Sequence, residues 1–197
     1  MGPVTASVRY FSLFDGTCQV SSDYFRAFAA TGLPLRAIPI TGMLSVDARG
    51  ASTLPPDLQR YFLGAVGTPY VNVVDAPLGI MRGAVIPAGR FGIDKGAMKD
   101  EVVYRPEAAF VALYTVGVPN VAIVQMPPAG QPLRPAPGEA EALARYQAIV
   151  VPDHASALSL LVMIGKRDFH VIPPADTDRL RDLMTSLVQG GGGAVVS

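Results

Sequence analysis

Short runs of consecutive apolar residues alternate along this chain with segments whose apolar positions recur every three or four residues. Runs of the first kind, closed by turn residues, predict buried strands; segments of the second kind predict helices with one apolar face. Six strands follow: Val8–Phe14, Leu33–Ile40, Tyr70–Val74, Asn120–Val124 running on to Met126, Ala148–Val151 and Phe169–Ile172. Turn and breaker residues stand at their exits: Asp15-Gly16, Thr41-Gly42, Asp75-Ala76-Pro77, Pro152 and Pro173-Pro174.

Helix signals fill the intervals. Ser22 is a suitable N-cap for Asp23–Thr31, with Gly32 as its stop. Pro55-Pro56 opens a helix on which Leu58, Tyr61, Phe62 and Ala65 share a face. Pro106 opens another, reaching about Val116, and EAEALARYQ from Glu139 reads as a further one. A helix starts near Ala155 behind Asp153. The last, capped by Asp176, carries an apolar stripe of Leu180, Leu183, Met184 and Leu187, with Asp178, Arg179, Arg181 and Asp182 facing water.

Alternating strands and helices predict a parallel sheet covered on both faces, an α/β, Rossmann-like three-layer sandwich. The expected organisation is one domain over residues 1–189 and a glycine-rich tail over 190–197. Leu78–Tyr104 breaks the rhythm, with glycines at 79, 83, 89, 92 and 96, and reads as a loop or β-hairpin arm within the domain. So long an excursion from a compact domain is commonly functional or intermolecular. Pro127–Pro137 reads as an extended surface segment.

Composition narrows the class. Half the residues are hydrophobic, 16% are charged and the formal net charge is zero, the opposite of a disordered chain. Weak self-repulsion favours burial in a homo-oligomer or as a subunit of a larger protein assembly. The basic residues form no cluster or stripe, so nucleic acid is not an expected partner. No apolar run is long enough for a membrane span, and Met1–Phe14 lacks the pattern of a signal peptide. The expected location is the cytoplasm, or a virion or other assembly formed there.

In open α/β sheets ligands bind beyond the carboxyl ends of the strands. The strand exits therefore supply the candidates: Asp15, Gly16, Thr17 and Asp75 for substrate binding, and the pair Asp153-His154 for catalysis. A histidine just beyond a buried strand suits a general base. The plainer reading of the same pair, a capping aspartate and an exposed ring, is preferred. His170 reads as a strand residue. Cys18, the single cysteine, has no histidine at a spacing that suggests a dyad, and reads as a small buried thiol. There is no G-x-G-x-x-G, no P-loop and no metal-ligand spacing, so no cofactor and no metal are expected.

Three stretches resemble the N-terminal, acceptor-side domain of GT-B-type retaining glycosyltransferases: FSLFDGTCQVSSDYFRAFAATGLPLRAIPI, NVAIVQMPP and ALARYQAIVVPDHASALSLLVMIGKRDFHVIPP. Where that family commonly has a serine after the strand, this chain has Asp153. The resemblance implies that the donor-binding groups belong to a second domain, which is expected to be absent since the chain stops at Ser197. It thus implies a half domain, inactive alone, acting as a subunit or interaction module with a separate donor-domain chain. The loop Asp15–Thr17 would edge its cleft and Asp153-His154 would lie near the floor. The alternative is a structural protein of a virion or other large assembly, using a fold of the same derivation.

Overall fold

A computed structural model describes residues 5–12, 23–39, 60–61, 66–77, 118–127, 133, 138–144, 146–165 and 169–190. Six strands form one sheet: β1 (Ser7–Ser12), β2 (Leu35–Pro39), β3 (Tyr70–Pro77), β4 (Asn120–Gln125), β5 (Ala148–Val151) and β6 (Phe169–Val171). Their order is β2-β1-β3-β4-β5-β6, and every pairing is parallel. The described helices are α1 (Tyr24–Ala30), α2 (Glu139–Leu143), α3 (His154–Ile164) and α4 (Thr177–Gly190).

The strands are apolar at consecutive positions because both faces are covered. On one side Val8, Tyr10, Val71, Val73, Val121, Ile123 and Val150 pack with Phe25 and Phe28 of α1 and Leu180 and Met184 of α4. On the other, Phe11, Val74, Ala122, Val124, Ile149 and Val151 pack with Leu143 of α2 and Leu160 of α3. Burying one such side chain contributes about 1.5–3 kcal/mol, so these two layers supply most of the driving force.

The strand order explains the sides. From β1 the chain steps one way to β2, and the rest of the sheet grows the other way from β3. Parallel crossovers keep a single hand, so opposite steps put their helices on opposite faces. α1, between β1 and β2, lies on one face; α2 and α3, flanking β5, lie on the other. The switch point falls between β1 and β3.

Local signals act as expected in several places. Gly32 follows the C-cap Thr31 with φ of 76°, the left-handed conformation that stops a helix. Asp153 caps α3 and Asp176 accepts from the Arg179 amide at the start of α4. Leu180 and Met184 are buried, with Leu183 and Leu187 packed against the same core. Gly190 closes α4 instead of opening the tail.

Other boundaries move. The N-cap position of α1 is Asp23, whose side chain makes no capping bond; Ser22 lies outside the described residues. The helix expected over EAEALARYQ ends at Leu143. Asp75, Ala76 and Pro77 continue β3, in register with Ile123, Val124 and Gln125 of β4. Proline is tolerated there because the strand ends with it. The Leu78–Tyr104 arm, the Pro106–Val116 helix, Cys18 and residues 191–197 lie outside the described residues. So does the Pro55-Pro56 helix except for Arg60-Tyr61, which are helical, and the Pro127–Pro137 segment except for Pro127 and Leu133.

α3 differs from α4 in carrying no Asp, Glu, Lys or Arg; beside the polar His154 and Ser159 its outer side is apolar. Leu158 and Val162, one turn apart, are 64% and 90% exposed, and Leu161 beside them is also exposed. Among the described residues no helix is long and apolar enough to cross a membrane.

Candidate functional site

The carboxyl ends of β1, β3 and β4 bring four polar side chains to the switch point. Ser12 ends β1 and is the register partner of Asp75 on β3. Two residues earlier on β1, and so on the same face, Tyr10 donates its phenolic hydrogen to Asp75 Oδ2. From the next strand Gln125 Nε2 donates to Asp75 Oδ1 at 2.9 Å. The carboxylate is fully buried, and a buried charge is tolerable only with such donors. The Tyr10 ring packs against both Phe25 and Phe28, with centroids 5.5 and 5.3 Å away. Packing thereby fixes the direction of its hydroxyl.

Tyr24, the first residue of α1, spans the same end of the sheet. Its hydroxyl donates to the Ile172 carbonyl, just past β6, at 2.7 Å. Burial pushes its phenol well above the usual range, and the negative charges of Asp75 and Asp153 add to the shift. Tyr24 therefore senses both the β3 and the β5 exits and stays a neutral donor.

Asp153 is extended and exposed, and its Oδ1 accepts the Ser156 amide hydrogen at 2.7 Å. The hydrogen bonds from Ser156 hold its carboxyl below the usual range, with smaller help from the Ala155 amide and His154. This is the capping geometry. His154 opens α3 with an exposed ring, and His170 lies half-buried on the edge strand β6.

Of the sequence candidates, Asp75 is buried at the end of β3 and Asp153 caps α3, and the charge of each helps to raise the Tyr24 phenol. Asp15, Gly16 and Thr17 lie outside the described residues. Tyr10, Ser12, Tyr24 and Gln125 are not singled out by sequence. Tyr10 and Ser12 sit inside an apolar strand run, and Gln125, just ahead of a proline pair, reads as an ordinary strand end. Only the amides that begin and end Asn120–Gln125 hint that β4 carries polar tips.

A second polar cluster occupies the opposite edge. Asn72 Nδ2 donates to Asn120 Oδ1 at 3.0 Å, and the Asn120 amide donates to Gln147 Oε1 at 2.7 Å. These bonds fasten the start of β4 to its neighbours at the amino end, away from the switch-point exits. No group of three or more metal-ligating side chains occurs among the described residues. Comparison of the chain with protein-family models, curated proteins and solved structures finds no match to any of them.

Proposed function

We propose that this chain is a Rossmann-like, glycosyltransferase-like half domain that binds a ligand at the switch point between β1 and β3. The observation that carries the reading is the buried Asp75 carboxylate, held by Tyr10 and Gln125 where a doubly wound sheet opens its crevice. The order of motifs around β1, β4 and β5 supports the acceptor side of such an enzyme. The donor would be bound by another domain or chain. Calorimetry of the lone chain with UDP- and GDP-sugars is expected to give neither turnover nor micromolar binding. Micromolar affinity for either would refute the half-domain reading. In a reconstituted active pair, His154→Ala should lower turnover more than His170→Ala, because only His154 follows a strand exit.

A second reading, a structural subunit of a virion or other assembly, is favoured by α3. Leu158, Leu161 and Val162 form an exposed apolar face with no charge from His154 to Gly165. We assign that face to self-association, which the zero net charge of the chain does not oppose. The two readings are compatible, since a fold can keep its crevice and join an assembly.

A further inference from the structure

Arg9 on β1 and Arg36 on β2 are register partners. Alternation sets both on the face of Phe11 and Ile38, with their backbones one strand spacing of about 4.8 Å apart. Two like charges so placed repel each other. Among the described residues the ion pairs are Arg179–Asp176 and Arg181–Asp178, both at the start of α4, and no carboxylate answers Arg9 or Arg36. Arg9 is half-buried, and its guanidinium carbon sits 4.1 Å from the centroid of the Tyr70 ring. Tyr70 is the register partner of Ser7, two residues before Arg9, so the Arg9 side chain leans toward the amino ends of the strands. An aromatic face attracts the charge but supplies no lone pair for the N–H groups. Arg9 Nη1 is buried without a hydrogen-bond partner among the described residues. Arg36 is exposed on the outermost strand, so a ligand can approach the pair from that side.

A buried guanidinium N–H without an acceptor is costly, and such an exception calls for a physical cause. Water would accept a hydrogen but leave the repulsion between the two arginines in place. A carboxylate carries a single charge, and one arginine fork fills both of its oxygens. A phosphate group carries about two charges near neutral pH, and its oxygens can accept from two guanidinium groups at once. We propose that Arg9 and Arg36 form a binding site for a phosphate group, free or carried as a monoester by a small molecule. Tyr70 holds the head of Arg9 in place, so less rotamer freedom is lost on binding. Arg36 supplies the second fork from the edge of the sheet. The site lies toward the amino ends of β1 and β2, apart from the switch-point crevice, and does not depend on that crevice binding a ligand.

The test is calorimetry of the full chain with inorganic phosphate, glycerol 3-phosphate and acetate, at a constant ionic strength of about 0.1 M to damp diffuse attraction. At least one phosphate probe should bind saturably, and the tighter of the two separates a free-ion source from an ester. Losing a charge-assisted hydrogen bond weakens binding about tenfold or more, and acetate should fall short of the better phosphate probe by that factor. Arg36→Gln should weaken that probe about tenfold, and Arg9→Gln likewise. If Arg9→Gln unfolds, Arg36→Gln decides, since its side chain is exposed. Arg26→Gln removes the same charge from the exposed side of α1, on the opposite face of the sheet, and should leave binding unchanged. Thermal unfolding gives a second readout: phosphate should raise the Tm of the wild type more than that of Arg36→Gln. The proposal is overturned if neither phosphate probe binds, if acetate matches them, or if folded Arg36→Gln binds as the wild type does. Equal weakening by Arg26→Gln and Arg36→Gln would overturn it too, since that is the mark of diffuse charge alone.

Discussion

Replacing Tyr10 by phenylalanine isolates one hydroxyl in the centre of the fold. The ring keeps its contacts with Phe25 and Phe28, so packing is preserved. What goes is the donor to Asp75 Oδ2, and the carboxylate that loses it is fully buried. A hydrogen bond to a charged group contributes about 1.5–3 kcal/mol, against about 0.5–1.5 kcal/mol for a neutral pair. Tyr24→Phe supplies the matched control, because its hydroxyl donates to a neutral carbonyl, that of Ile172. Tyr10→Phe should therefore destabilise by about 2 kcal/mol and Tyr24→Phe by about 1 kcal/mol. With a urea m-value of about 2 kcal/mol/M, the midpoints should fall by about 1 M and about 0.5 M. Urea unfolding followed by far-UV circular dichroism reads both. Equal midpoints for wild type and Tyr10→Phe, or a larger drop for Tyr24→Phe, would refute a buried carboxylate dependent on Tyr10.

Caps, buried phenols and the exposed face of α3 each give a further expected outcome. Asp153→Ala removes a helix cap and should lower Tm at pH 7 by about 2–4 °C, for a cap worth about 1 kcal/mol. Because the folded carboxyl titrates below its unfolded value, the cap's contribution is present above about pH 4 and fades as pH falls through the lower folded value. A Tm gap between wild type and variant that stays constant into strong acid contradicts this. Burial raises the phenols of Tyr24 and Tyr146, the latter with help from Glu139. The stability from these neutral phenols is intact below about pH 10 and lost progressively above it. Absorbance of the folded protein in the tyrosinate band at about pH 11, above the ordinary phenol value, should be unchanged by Tyr146→Phe, and a drop by one tyrosinate would refute the shift. Val162→Lys should reduce the sedimenting mass to that of a monomer with helicity unchanged; a wild type that already sediments as a monomer would contradict self-association through α3.

The layers of this fold were legible because their signals are local. Ala148–Val151 is a continuous apolar run stopped by Pro152, and Asp153 follows where an N-cap belongs, so β5 and α3 are readable from one short stretch. The stripe from Leu180 to Leu187 similarly marks the inner face of α4. The site was less legible because its partners are distant. Asp75 and Pro77 read as strand breakers, yet β3 runs through both, since Asp75 receives hydrogen bonds from residues 65 positions before it and 50 after it. Asp75 could still be named, as any acid at a strand exit can. Ser12 could not, because a serine inside SVRYFS differs from an ordinary strand residue only through its register with Asp75.

The central claim is that the working edge of this sheet is the carboxyl edge at the β1–β3 switch. An amide NMR titration of the full chain with methyl α-glucoside and uridine tests it most directly. Perturbations that cluster at Ser12, Tyr24, Asp75 and Gln125 are the predicted result. Perturbations centred instead on Asn72, Asn120 and Gln147 at the amino edge, or none with either probe, would contradict it.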